Sequence, residues 1–463
     1  MRVYNTLTNR IEEFKEIKKG MIGFYTCGPT VYDYAHIGNF RSYIAEDLIK
    51  RYFLYKGYKV IHVMNLTDID DKTIKKADRL GVSLNQVTEE YIKATMNDID
   101  TLNILKANHY PRATEHIDEM LSLVEKLEEN GYAYRKDNSI YFSIAKFADY
   151  GQLANISKEN LKMGVSVDTD EYEKEDAQDF VLWKGRKEGE RFFWSSEKFG
   201  EGRPGWHLEC SAMSMKYLGE HFDIHMGGVD NIFPHHENEI AQSQCSTGKK
   251  YVNYWLHVQH LIVDNEKMSK SLGNFYTLRD LLEKGYDPMA IRYLLISTHY
   301  RKLLNFTFDG LEQAIQSLKR IYDFIFTLKG LKPVDGETGE ITGLIEQSEL
   351  KFQEQMESDF NISGALGVLF DFIHETNLKQ GELKTGDINN ILDFIDRINS
   401  VLGVIKKEEE GVLAIEIEEK IEQRARARQE KNFQLADAIR DELKVKGIVL
   451  IDTPEGTRWK HEK

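Results

Sequence analysis

Gly20-Met21-Ile22-Gly23-Phe24-Tyr25-Thr26-Cys27-Gly28-Pro29 is the stretch on which the fold turns. Its apolar-aromatic run, Met21 to Tyr25, reads as a buried strand, and the breaker pair Gly28-Pro29 ends it. Downstream, Ile44, Leu48, Ile49, Tyr52 and Phe53 recur at helical spacing between Gly38 and Tyr58, and Gly57 closes that run. Lys59-Val60-Ile61-His62-Val63-Met64 is a second short strand. Strand, turn, helix and strand in this order make a βαβ unit, hence a parallel sheet with a right-handed crossover. Ligands of such sheets bind outside the carboxyl ends of the strands. Those ends are residues 27–39 and 65–71.

The pattern breaks over 115–200, which holds a helix at 113–130, a strand at 139–143 and an acidic run, 168–176, that reads as a solvated loop. Strand-like sequence resumes at 221–225 and 261–263. Helical spacing then dominates at 311–328, 345–357, 364–376 and 388–402. The charged, Gly-containing stretch 406–411 reads as a linker, followed by a helical piece over 415–446 and a short strand at 448–451.

With 463 residues the chain has room for about three domains. Its 41% hydrophobic and 30% charged residues suit folded cores with a wetted surface. No run approaches the ~18–20 apolar residues of a membrane span, and Met1-Arg2-Val3-Tyr4 opens no signal-peptide core. Cys27, Cys210 and Cys245 are too few for a disulfide framework, so a cytoplasmic location is expected. The net charge of −15 weighs against a nucleic-acid partner until its distribution is read. Residues 420–463 carry eleven Lys/Arg against eight Asp/Glu, a net of +3, leaving −18 on the rest. A basic tail on an acidic body can still dock a polyanion.

Two motifs suit phosphate. His36-Ile37-Gly38-Asn39 lies where the first strand gives way to its helix, and a helix N-terminus offers free N–H groups and a partial positive charge. Gly38 lets a ligand approach the backbone, while His36 and Asn39 can donate to phosphoryl oxygens. Glu266-Lys267-Met268-Ser269-Lys270-Ser271 is a cationic loop of the kind a departing pyrophosphate needs, with Lys267 and Lys270 as its charges. In type and order these motifs resemble the two signatures of class I aminoacyl-tRNA synthetases. That family usually has His at the fourth position of the first motif. Asn39 can hydrogen-bond a phosphate there but carries no charge.

Cys27, Cys210, His235 and Glu239 make a plausible zinc set, two thiolates with an imidazole and a carboxylate. His235 and Glu239 are four apart, so on a helix starting at Pro234 they face the same way. The segment is no metalloprotease motif, because Ile240 stands where a second His would be needed; His236 reads as a packing residue or one behind the ligands. Cys210 lies in the Gly/Pro/Trp-rich run Gly202-Arg203-Pro204-Gly205-Trp206-His207-Leu208-Glu209-Cys210. Cys245 has no such neighbourhood and reads as structural.

Thr26 to Asn39, Asn65-Leu66-Thr67-Asp68-Ile69-Asp70-Asp71-Lys72, Gly205 to Met213 and Phe233-Pro234-His235-His236-Glu237-Asn238-Glu239 closely resemble the blocks of cysteinyl-tRNA synthetases, and the resemblance covers essentially the whole chain. It implies an α/β fold: a Rossmann-like parallel-sheet catalytic domain over 1–114 and 201–314, a connective insertion over 115–200, an α-helical bundle over 315–405 and a small anticodon-binding domain over 412–463. It implies zinc on Cys27, Cys210, His235 and Glu239 taking the substrate thiolate as a further ligand. Such ligation would separate thiol from hydroxyl, which a pocket built on shape does poorly.

Gly28, Thr67, Trp206 and Asp230 are expected around the substrate, Thr67 for its amino or carboxylate group, Trp206 as a wall beside the metal, and Asp230 for the ammonium or the ribose. Gly227 and Gly228 suit close backbone approach to a nucleotide, and Mg²⁺ should accompany ATP. In the tail, Arg424 and Arg428 share a helix face. By resemblance Arg428, Asp437 and Asp452, the acids at helix ends, would read anticodon bases, with Trp459 for stacking. The partners expected are tRNA(Cys), ATP and L-cysteine, for a monomeric protein. Two rivals remain. A cysteine ligase passing cysteinyl-adenylate to a small amine would lack the tail, and a non-catalytic RNA-binding paralogue would lose motif residues.

Overall fold

The computed structural model describes residues 1–156, 179–406, 412–445, 448–453 and 456–461. Four strands form the expected parallel sheet, in the spatial order Val252–Val258, Phe222–Gly228, Met21–Thr26, Lys59–Met64. In chain order these are the fourth, third, first and second, so the order reverses between Met21–Thr26 and Phe222–Gly228. A crevice opens at such a reversal. Cys27 leaves the first strand there, its N–H donating to the Met226 carbonyl at 3.2 Å.

Helix Ile37–Tyr55 buries Ile44, Leu48, Ile49, Tyr52 and Phe53, as their spacing predicts. The core continues from the sheet through helix Pro288–Ser297 into the bundle of Phe308–Gly330, Gly339–Glu357, Ile362–Leu378 and Thr385–Leu402. Two buried arginines tie these layers. Arg292 donates to the Leu402 and Leu102 carbonyls and to Asp47, and Arg51 donates to Asp47 and to the Ser400 carbonyl. Guanidinium groups suit such helix C-termini, where unpaired carbonyls carry partial negative charge. Asp47 and these carbonyls thus share the two positive charges where the sheet meets the bundle.

The segment 115–200 is richer in strands than its sequence suggests. Besides helix Ile117–Glu129 it holds a five-stranded antiparallel sheet ordered Ala133–Lys136, Ser139–Phe142, Phe180–Gly185, Gly200–Pro204, Trp194–Ser196. The strand Gly200–Pro204 crosses residue 200 and delivers the chain directly to helix Trp206–Leu218. The acidic run at 168–176 and most of the linker, 407–411, lie outside the described residues.

The single helix expected over 415–446 is two helices, Val412–Gln429 and Phe433–Val445. Lys431 adopts φ 61° between them, and the Asn432 side chain accepts the Leu435 N–H, starting the second helix without Gly or Pro. The strand expected at 448–451 is Ile448–Thr453, and it pairs antiparallel with a further strand, Gly456–His461. Ile421, Ile439, Leu443 and Ile448 form a small core of the tail's own. Among the described residues no helix is long and apolar enough to cross a membrane.

Candidate active site

Four elements converge on one buried point. Cys27 ends the first strand, Cys210 sits on helix Trp206–Leu218, His235 lies in the turn Ile232–His236, and Glu239 opens helix Glu237–Thr247. Their donor atoms all lie within 4.8 Å of one another. Phe233 is extended (φ −137°, ψ 130°), so helical torsions resume at Pro234; the turn through His236 is π-type, and the α-helix proper runs Glu237–Thr247. The four-residue spacing still works, with His235 Nε2 3.2 Å from Glu239 Oε1. That oxygen is buried without any hydrogen-bond donor.

Hydrogen bonding to Cys210 and then burial push the Cys27 thiol well up; burial pushes the Glu239 carboxyl well up, and burial with the neighbouring His207 and His225 pulls His235 well down. The protein by itself therefore favours neutral forms of these donors. A bound divalent cation inverts that preference, stabilising thiolate and carboxylate. Two sulfurs, a nitrogen and an orphaned oxygen, buried and convergent, fit a borderline-soft metal ion.

Sequence reasoning missed three of the histidines around this point, His207, His225 and His257. His236 Nε2 lies 3.2 Å from Cys27 Sγ, against a donor atom, as a residue behind the ligands would. Its Nδ1 meets His257 Nε2 at 2.8 Å, and His257 Nδ1 meets Thr6 Oγ1 at 2.8 Å. His225 Nε2 lies 2.9 Å from Glu239 Oε2, and His207 Nδ1 lies 2.9 Å from His235 Nδ1. Burial pulls His207, His225 and His257 down to about 3, so all three are neutral at physiological pH. Cys27, His225, His236 and Glu239 form a second convergent group sharing two members with the first. The available signal was a lone imidazole in each of two otherwise buried strands, Phe222–Gly228 and Val252–Val258, where an unpaired polar group is costly.

Trp206 stacks on His235, centroids 4.1 Å apart at 24°, beside the four convergent donors. Thr67 is buried at the end of the second strand, where its hydroxyl accepts from Asn65 Nδ2 at 3.0 Å. A Cβ at Gly28 would fall 1.7 Å from the Asn65 carbonyl oxygen, so this crossing of backbones excludes any other residue. The Gly227 and Gly228 backbones approach the protein's own side chains: a Cβ at 227 would meet His236 at 2.9 Å, and one at 228 would meet Asp230 Oδ1 at 2.3 Å. Asp230 is exposed, near enough to His36 to oppose the loss of its positive charge.

His36 caps helix Ile37–Tyr55 in a reciprocal box. Its Nδ1 accepts the Asn39 N–H at 3.2 Å, and Asn39 Oδ1 accepts the His36 N–H at 3.0 Å. An accepting Nδ1 leaves the imidazole proton on Nε2, free to be donated. Asn39 spends its oxygen on the cap and keeps its NH₂ as a donor. Over this turn lies the cationic loop. Ile37 N–H donates to the Tyr276 carbonyl at 3.0 Å, and Phe275 packs edge-on against His36 at 5.2 Å. Lys267 is exposed on the two-residue strand Glu266–Lys267, and Lys270 lies beyond it at the loop tip.

In the tail, Arg424 and Arg428 do share a face, and both grip Asp452. Arg424 holds it with two bonds, at 2.7 and 2.9 Å, and Arg428 with one at 2.7 Å. Asp452 lies on a strand and Asp437 inside a helix, paired with Arg440 at 3.2 Å; neither ends a helix. Trp459 is placed by backbone pairing with Leu450.

Residues 13–316 match the family of class I (C) tRNA synthetase catalytic domains, and residues 351–406 match the DALR domain family. A cysteine–tRNA ligase of Brachyspira hyodysenteriae is 50% identical over 470 residues, covering 99% of each chain. One of Protochlamydia amoebophila is 46% identical over 472 residues, covering 100% of this chain and 98% of its own. In fold, the chain is similar to Mycobacterium tuberculosis methionyl-tRNA synthetase in complex with methionyl-adenylate, with a TM-score of 0.58 at 15% identity over 83% of this chain and 88% of that one. It is likewise similar to the Agrobacterium radiobacter K84 LeuRS in its complex with tRNA and LeuAMS, with a TM-score of 0.60 at 10% identity over 85% of each.

Proposed function

The chain belongs to the cysteine–tRNA ligases, class I aminoacyl-tRNA synthetases, and on that premise we propose that it selects cysteine through zinc held by Cys27, Cys210, His235 and Glu239. The observation that carries the proposal is the convergence of those four donors at the point where the strand order reverses. Zinc bound there would supply discrimination between thiol and hydroxyl by ligating the sulfur of the amino acid.

The protein's own groups supply the rest. Trp206 is the wall of the cysteine pocket, Gly28 permits close approach of the backbone, and Thr67 and Asp230 orient the amino-acid polar groups. His36 Nε2–H and the Asn39 NH₂ donate to ATP phosphoryl oxygens at the helix N-terminus, with Gly38 leaving room. Gly227 and Gly228 border the nucleotide. Lys267 and Lys270 offset the charge that develops on pyrophosphate as the adenylate forms. Mg²⁺ accompanies ATP, held mainly by its phosphates.

The same reading assigns residues 1–114 and 201–314 to catalysis, 115–200 to a connective insertion, 315–405 to a helical bundle and 412–463 to the anticodon. The tail's separate core and its Arg428, Asp437, Asp452 and Trp459 support that last assignment. Three free cysteines support a cytoplasmic location, and we take the enzyme to act as a monomer.

ATP–pyrophosphate exchange with each of the twenty amino acids tests the reading; only cysteine should drive it, and exchange with none would overturn the assignment. Deleting 412–463 should leave that exchange nearly intact while aminoacylation of tRNA(Cys) falls by roughly tenfold or more, since binding energy collected far from the reacting ester is lost. A truncated protein that charges tRNA as well as the full chain would instead favour ligation of cysteine to a small amine.

A further inference from the structure

Lys270 is the charge on which adenylate formation is proposed to depend, and here its ammonium is already engaged. Lys270 Nζ donates to Asp33 Oδ2 at 2.8 Å and lies 5.1 Å from the Phe275 ring centre. The rest of the loop is folded down on the signature turn. A Cβ at Gly38 would come within 3.3 Å of Met268 Cε, and the Ser269 N–H donates to Asn274 Oδ1 at 2.8 Å. Asp33 lies between the first strand and the signature, and its Oδ1 accepts the Tyr34 N–H at 2.9 Å. Partial burial works against its charge, yet the bonds from Lys270 and Tyr34 hold its carboxyl below the usual range.

We propose that Asp33 is the resting counter-ion of Lys270, an internal anion that holds the catalytic loop on the signature turn until the ATP phosphates displace it. The proposal rests on the reading of Lys270 as a phosphate partner. A carboxylate and a phosphate oxygen are equivalent acceptors for an ammonium group, and a lysine, as a compact charge with rotatable donors, exchanges one for the other without rebuilding its surroundings. The strength is suited to the task. Lys270 is 68% and Asp33 35% exposed, so water and salt weaken the pair. A pair this weak yields to a triphosphate carrying several charges, but it still biases the empty loop. It also gives Lys270 a place to return to as pyrophosphate leaves.

Asp33→Asn removes the charge and keeps the oxygen that accepts the Tyr34 N–H. Without nucleotide, tryptic cleavage after Lys270 should be about two- to fivefold faster in Asp33→Asn than in the wild type, the range an exposed ion pair carries. That difference should vanish in ~1 M salt, where the pair is screened. The KM for pyrophosphate in the exchange reaction should fall by about the same factor, because the competing anion is gone. Equal cleavage rates at low salt, or a raised KM, would overturn the proposal.

Hydrogen exchange over 266–275 provides a second measure. Asp33→Asn and Lys270→Gln should each speed it, and the double variant should exchange no faster than Lys270→Gln alone. Additive effects would mean that the two side chains act separately, which also overturns it. Cleavage and hydrogen exchange are read without substrate. A Lys270 variant with unchanged pyrophosphate exchange would therefore remove its catalytic role while leaving the ion pair standing.

Discussion

Lys270→Ala is expected to slow cysteine-dependent ATP–pyrophosphate exchange by about 10²–10³, the usual effect of removing one preorganised charge from a transition state. On the proposed reading, much falls on this residue because its partners in the signature turn are uncharged. Burial holds the His36 imidazole below its ordinary pKa, so that ring is a neutral donor at pH 7, and Asn39 carries no charge at all. The signature turn thus offers phosphate only dipoles and neutral N–H groups, and the formal positive charge must come from the loop. Equilibrium binding of cysteine should change little, since Lys270 lies at an exposed loop tip while the four donors are held by the sheet and its helices. Pre-steady-state exchange alongside direct cysteine binding checks this. Equal losses in both would assign Lys270 to uniform binding rather than to the transition state.

The legible parts of this fold were those in which one periodicity governs a whole element. Met21–Thr26 and Ile37–Tyr55 are specified by residues close in sequence, so strand, breaker and helix could be read in order and the carboxyl ends of the strands pointed to where a ligand would bind. The donor set was legible from context rather than from any one residue: His235 and Glu239 stand four apart, Cys27 lies one strand end from His36, and Cys210 lies in a Gly/Pro/Trp-rich run, whereas a cysteine alone is most often a small buried hydrophobe.

What stayed hidden depends on contacts across long stretches of chain. The strands of the segment 115–200 are short, and Trp194–Ser196 is defined only by its pairing with Gly200–Pro204. The break in the tail helix comes from a positive φ at Lys431 and a cap at Asn432, which leave no mark in hydrophobic spacing. Asp33 reads as an ordinary loop acid until Lys270, far along the chain, is placed beside it. The histidines are the most instructive case. His225 and His257 look like interruptions of buried strands, and only the fold shows His225 reaching Glu239 and His257 holding His236 against Cys27.

Removing the metal should have the broadest effect, and Cys210→Ser is the variant that isolates it. Elemental analysis of the purified wild type should find about one zinc per chain, as one convergent set of four donors requires. Cys210 is 1% exposed within the set, and serine offers a hard oxygen where a soft sulfur stood. The variant should lose most of its zinc, and cysteine-dependent exchange should fall by roughly 10²-fold or more, beyond the 10–100-fold typical of disturbing a group behind the ligands. Discrimination is the sharper measure. A pocket that works by shape rejects a hydroxyl isostere by only about 10², so the cysteine-to-serine ratio in the variant should drop toward that level.

The second donor group makes the outcome more informative. Cys27, His225, His236 and Glu239 also converge, and they do not include Cys210. Should Cys210→Ser keep its zinc, the ion belongs to that group, and His225→Ala should then release it. Hydrogen bonding does not separate the two groups: His236 Nδ1 meets His257 as His235 Nδ1 meets His207, and each Nε2 faces a donor of its own group. An enzyme stripped of metal that still prefers cysteine as strongly as before would leave neither group with a role in selection.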